Sequence, residues 1–185
     1  MTASAGSPAT PRLAAPGPRY RRSFLEALRE GFDFATQPCA SAESVGDIEA
    51  DFAGYVARTD QSGTVLLPTG ETVPKVPFSV FWLVEDDGFI GQLNLRHELN
   101  DYLRQWGGHV GFAIRPCRRR QGYGRLILAL GLEECRCRGM ERILVTCLED
   151  NRASARIIEA NGGVLENVLA DPAGRGRLRR YWISL

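Results

Sequence analysis

Metal and disulfide chemistry have little to work with in this chain. It holds only two histidines, His97 and His109, and its five cysteines, Cys39, Cys117, Cys135, Cys137 and Cys147, are an odd number with no C-x-x-C spacing. A disulfide framework wants an even set and a zinc site wants clustered ligands, so reduced thiols and no metal are expected. Cys135 and Cys137 stand two apart in a helical stretch, on different faces, and could not clasp one ion together. No apolar run approaches the roughly 18 residues of a membrane span, and the N-terminus lacks a signal-peptide core, so a cytoplasmic protein without membrane contact is expected. An excess of charge of one sign is missing too. With 23 basic and 22 acidic residues the net charge is +1, which leaves no field to argue for nucleic acid. No Gly-Lys pair occurs, and a P-loop for nucleoside triphosphates needs one.

What the chain does have is enough apolar substance for one core. Its 185 residues are 44% apolar, which suits one domain and leaves no room for a second. Met1 to Pro18 has four prolines and no acidic residue, and reads as a disordered tail ahead of a single domain over 19–185. Phe24, Leu25, Leu28 and Phe32 recur at helical spacing between Tyr20 and Phe34, and Ile48, Phe52, Tyr55 and Val56 repeat the pattern, so two helices are expected. Thr59 to Pro77, with its glycines and prolines, reads as a long loop. Phe78 to Glu85 and Phe89 to Arg96 read as a hairpin around Asp86-Asp87-Gly88. Leu95, Leu99, Tyr102, Leu103 and Trp106 make Arg96 to Gln105 a short helix, with His97, Glu98 and Asn100 off its apolar stripe.

The most informative segment is Arg119-Arg120-Gln121-Gly122-Tyr123-Gly124, which follows the apolar run Val110 to Ile114 and precedes a helical stretch. Strand, glycine-rich turn and helix start gather free backbone N–H groups and the positive end of a helix dipole at one point, which suits a pyrophosphate. A dinucleotide fingerprint does not fit, because the position three after Gly124 is Ile127. In the preceding strand Val110, Phe112 and Ile114 alternate with His109, Gly111 and Ala113, so the bulky side should bury. Asn151 fits the N-cap of a later helix, with Ser154 at its third position. Gly139 and Gly162-Gly163 read as helix stops, and Val164 to Leu169 and Leu178 to Ile183 as closing strands around Asp171-Pro172-Ala173-Gly174.

Arg119-x-x-Gly122-x-Gly124 is similar to the Q/R-x-x-G-x-G/A signature of the GNAT N-acyltransferase superfamily. Around it, Ile114-Arg115-Pro116 stands where the family has a V-x-P-like step, and helix, strand and Asn-started helix follow in the family's order. Leu95-Arg96-His97-Glu98-Leu99-Asn100, Gly107-Gly108-His109-Val110-Gly111, Asn161-Gly162-Gly163-Val164-Leu165-Glu166 and Arg180-Tyr181-Trp182-Ile183 resemble one bacterial subgroup of GNAT acetyltransferases.

The resemblance implies an α/β fold with a mixed central sheet flanked by helices, acetyl-CoA as cosubstrate, and direct attack of an amine on its thioester. It implies cofactor contacts at Phe112, Ala113 and Ile114, at Arg119, Arg120, Gln121, Gly122, Tyr123, Gly124 and Arg125, and at Asn151 and Ser154. His109 lies where several family members carry a glutamate base, and Glu98 is the rival. Many members carry a tyrosine, the acid for the leaving thiolate, where this chain has Ile158. The expected partner is an amine-bearing acceptor, small molecule or peptide, and a homodimer is compatible. The alternative is an acyl-CoA-binding module with little or no transfer activity, which the Ile158 position motivates.

Overall fold

The computed structural model describes residues 10–33, 44–59 and 63–185. Strands β1 (Arg12–Ala14), β4 (Phe78–Glu85), β5 (Gly88–Arg96), β6 (Val110–Ile114), β7 (Arg142–Leu148), β8 (Val164–Ala170) and β9 (Arg177–Ser184) form one seven-stranded sheet in the order β1-β4-β5-β6-β7-β9-β8. Every neighbour in it is antiparallel except β6 with β7, so the sheet is mixed. A separate hairpin pairs β2 (Thr64–Leu66) with β3 (Thr72–Pro74).

Helices cover both faces. On one, α4 (Tyr123–Cys137) and α5 (Arg152–Glu159) pack with the sheet side chains Leu93, Leu95, Val110, Ile143 and Val145 in one apolar core. On the other, α1 (Arg21–Arg29), α2 (Val45–Ala50) and α3 (Phe52–Arg58) enclose Val80, Trp82, Val84 and Phe89. That second core is aromatic. Phe24 stacks on Trp82 with centroids 4.5 Å apart, and Phe89 meets both rings edge-on, geometries that each add about 0.5–1.5 kcal/mol beyond area burial. Among the described residues no helix is long and apolar enough to cross a membrane.

Several sequence expectations are corrected. The tail is not disordered over Arg12–Ala14, which pairs with Trp82 to Val84; its backbone groups find the open edge of β4, a gain that composition does not encode. Residues 1–9 lie outside the described residues, as do 34–43 and with them the stretch around Cys39. The pattern from Ile48 to Val56 is split at Asp51, whose carboxylate accepts the Gly54 N–H and starts α3 afresh. The stretch 59–77 contains the β2/β3 hairpin. Finally, β5 runs to Arg96, and the helical turn begins only at 101, with π geometry over Leu103–Gly107.

Candidate functional site

Strands β6 and β7 touch at one end only. Their parallel ladder consists of Val110 opposite Val145, beside an isolated bridge from Gly108 to Val145. Beyond Val110 they separate, and a cleft opens between them. The register of β6 on β5 decides which backbone groups face it. Arg96 N–H donates to His109 O and Arg115 N–H to Ile90 O. Antiparallel pairs alternate, so the intervening hydrogen-bonded pairs are Asn94 with Gly111 and Gln92 with Ala113. Phe112 and Ile114 therefore turn their backbone groups toward the cleft, while the N–H and C=O of Ala113 face β5. The side chains of Val110, Phe112 and Ile114 pack on the α4 core, as their alternation foretold.

The cleft ends at the loop that starts α4. A 3-10 turn (Pro116–Arg118) leads to Arg120 at φ +59° and Gly122 at φ +87°. The left-handed Gly122 is the N-cap of α4, a conformation glycine takes at no steric cost. Among the described residues, no acceptor meets the backbone N–H of Arg120, Gln121, Gly122, Tyr123 or Gly124, and a Cβ added at Gly122 would enter open space. These amides stand at the positive end of a 15-residue helix, with the exposed Arg119, Arg120 and Arg125 around them. Such an arrangement suits an anion.

The loop is tied down at its root. Arg119 Nε donates to Ile114 O at 3.0 Å. Arg115 reaches across to α1, with Nε donating to Glu30 Oε2 at 2.9 Å, Nη2 to Oε1 at 2.5 Å, and Nη1 to Ser23 Oγ at 2.9 Å. The Arg115 hydrogen bonds hold the Glu30 carboxyl down at about 2. Sequence reasoning passed over Arg115; its signal was an arginine between an apolar strand and a proline. At the next helix Asn151 Oδ1 accepts the Ser154 N–H at 3.1 Å, the expected N-cap. Gly124 brings α4 close to α5, for its added Cβ would lie 2.5 Å from Ile157 Cδ1.

His109 sits at the closed end of the cleft, with its backbone N–H and its Nδ1 both bonded to Leu144. Its N–H donates to Leu144 O at 2.7 Å, and its Nδ1 accepts the Leu144 N–H at 2.9 Å. The ring therefore completes the β6/β7 ladder where backbone pairing stops. Burial pushes its pKa down to about 4, and the cations Arg96 and Arg104 add to the fall. A bond to the Leu144 carbonyl would favour the proton, but Nδ1 meets an N–H, which a protonated nitrogen could not accept. With Nδ1 accepting, the neutral ring carries its proton on Nε2. Glu98 is exposed, in the bend two residues past the end of β5. Ile158 is wholly buried in the α4 core and offers no acid.

A mixed sheet whose one parallel pair is joined at one end only, ahead of a glycine-turned helix start, defines an α/β protein. An acetyltransferase (GNAT) domain profile matches residues 41–164. The chain belongs to the acetyltransferase (GNAT) family. No curated protein sequence matches it. Among solved structures it is similar to Mycobacterium smegmatis RimJ in complex with a CoA disulfide, at 18% identity and TM-score 0.64 over 96% of this chain and 86% of that one. RimL, a ribosomal alpha-N-protein acetyltransferase in complex with coenzyme A, is similar at 13% identity and TM-score 0.63, over 96% of this chain and 97% of that one. Vibrio cholerae spermidine N-acetyltransferase in complex with CoA and spermine aligns at 15% identity and TM-score 0.60, over 94% of this chain and 95% of that one. At these identities the likeness is one of fold.

Proposed function

We propose that the protein transfers the acetyl group of acetyl-CoA to an amine. The observation that carries this reading is the run of amides from Arg120 to Gly124, without acceptors among the described residues, at the open end of the β6/β7 cleft. The backbone N–H groups of Arg120 to Gly124 would hold the pyrophosphate, with Arg119 and Arg125 beside them. Phe112 and Ile114 would offer their cleft-facing backbone groups to the pantetheine arm. Asn151 and Ser154, ordered by the cap between them, would border it on the α5 side. Acetyl-CoA supplies an acyl group activated as a thioester.

In the exchange one N–C bond forms for one C–S bond broken, the thiol leaves, and the amine loses a proton. The amine must arrive neutral. An α-amino group of pKa near 7.8 gives up its proton at pH 7 for about 1 kcal/mol, whereas a lysine-type amine costs about 4.6 kcal/mol. Glu98 is the proposed proton collector, directly or through water. His109, with Nδ1 bound and its pKa near 4, fits a positioning role better than that of a base. With Ile158 in the core, the leaving thiolate takes its proton from solvent, and alignment of the two reactants, which can contribute roughly 7–11 kcal/mol, carries the rate.

The test is thiol release from acetyl-CoA by the purified protein across amines, peptides and aminoglycosides. Acceptor-dependent release is expected. Tight acetyl-CoA binding with no release from any acceptor would favour the binding module instead.

A further inference from the structure

Strand β5 carries polar side chains on a face that should be apolar. Gln92 and Asn94 are each only 4% exposed, and Arg96 continues their alternation. The register sets them beside Trp82 and Val80 on β4 and beside Ala113 and Gly111 on β6. Burying a polar group without its hydrogen bonds costs about 1–3 kcal/mol, a cost that leucine or valine at the same places would not carry.

The first member fixes the direction of the chain. An indole N–H can only donate. Trp82 Nε1 donates to Gln92 Oε1 at 3.1 Å, so Gln92 turns its amide nitrogen to Asn94, and Nε2 donates to Asn94 Oδ1 at 3.1 Å. Asn94 is left presenting Nδ2, a pure donor. That nitrogen meets no acceptor among the described residues. Its cross-strand neighbour Gly111 has no side chain to cover it. Gly111 directly follows Val110, the last residue of β6 paired with β7, so the register sets Asn94 one strand from the apex of the cleft. Arg96 continues on the same face and gives Nη1 to Gly108 O at 3.0 Å. The lining here asks for an oxygen.

We propose that Asn94 is a specificity-determining residue whose Nδ2 donates to a carbonyl oxygen next to the acceptor amine, which makes the acceptor the α-amino group of a peptide or amino-acid derivative rather than an alkyl polyamine. The inference rests on the reading of the cleft as the acetyl-transfer site. The amines of a polyamine that do not react are ammonium donors, which would meet the donor of Asn94. An α-amino group next to a carbonyl brings the missing acceptor and is also the amine that needs least help to lose its proton.

Asn94→Asp keeps the shape and the oxygen that Gln92 needs but replaces the donor with an acceptor. Transfer from acetyl-CoA to an alanyl peptide amide and to spermidine is compared for wild type and variant, with acetyl-CoA affinity followed by calorimetry. The variant-to-wild-type ratio for each acceptor cancels the difference in amine basicity. The expected result is a wild type that favours the peptide, and a variant whose kcat/KM for the peptide falls about tenfold more than for spermidine, mainly through KM, as loss of a buried hydrogen bond implies. Acetyl-CoA affinity should not change. Asn94→Ala removes the donor without a charge and should show the same bias, which keeps the question measurable if the buried carboxylate unfolds the protein. A wild type that acetylates spermidine and not the peptide, transfer to neither, or equal losses for both acceptors would overturn the inference. Failure of the wild type to bind acetyl-CoA would instead sink the reading on which it rests.

Discussion

At the scale of single residues, His109 shows how a side chain of catalytic type can be consumed by the fold. Its Nδ1 takes the Leu144 N–H at 2.9 Å, and burial depresses its pKa from 6.5 to about 4. The unfolded chain therefore binds a proton at this histidine between those values while the folded chain does not, so stability is full above pH 6.5 and falls as pH drops toward 4. His109→Asn, whose Oδ1 can take the place of Nδ1, should flatten that part of the stability profile, measured by urea melts at pH 7 and pH 4.5. It should leave the pH profile of kcat/KM unchanged, because the rise of that profile belongs to the acceptor amine. Disappearance of the profile's acid limb in the variant would return His109 to the role of base. The sequence could present His109 only as a residue type at a suggestive place. Its bond to Leu144, 35 residues on, depends on how two strands meet.

At the scale of elements, the legible parts were those with strong local periodicity and their own end signals. Strand β6, the turn at Gly122, helix α4 and the Asn151 cap could be read because apolar spacing, a glycine and a capping amide lie within a few residues of one another. The strand β1, the β2/β3 hairpin and the break at Asp51 could not, since a three-residue strand has no periodicity and gains its hydrogen bonds only from a distant edge. The same limit hid the polar chain from Trp82 through Gln92 to Asn94, which exists only once β4 and β5 are in register. Close approach of elements was likewise invisible at Gly91. A Cβ there would come 2.5 Å from Ala113 O and 2.8 Å from Ile114 Cδ1, so Gly91→Ala should force β5 and β6 apart. It should cost about 1–3 kcal/mol of stability in a thermal or urea melt and weaken acetyl-CoA, because Phe112 and Ile114 would move with the strand. A variant as stable as wild type would mean that this contact yields freely.

At the scale of the whole molecule, two apolar cores lock the sheet from both sides, and among the described residues it opens along the unpaired length of β6 and β7. Family and fold are settled by the GNAT domain match over 41–164 and by this topology. The most direct measurement is calorimetric titration of acetyl-CoA into wild type and Gly122→Asp. The Cβ at Gly122 meets open space, and aspartate tolerates the left-handed backbone better than most residues, so the variant should fold with nearly the wild-type melting curve. It sets a negative charge at the positive end of α4. The account predicts binding by wild type and affinity weakened about tenfold or more in the variant, as expected for opposing an anion at a helix N-terminus. Equal affinities, or no binding by the wild-type protein, would contradict it.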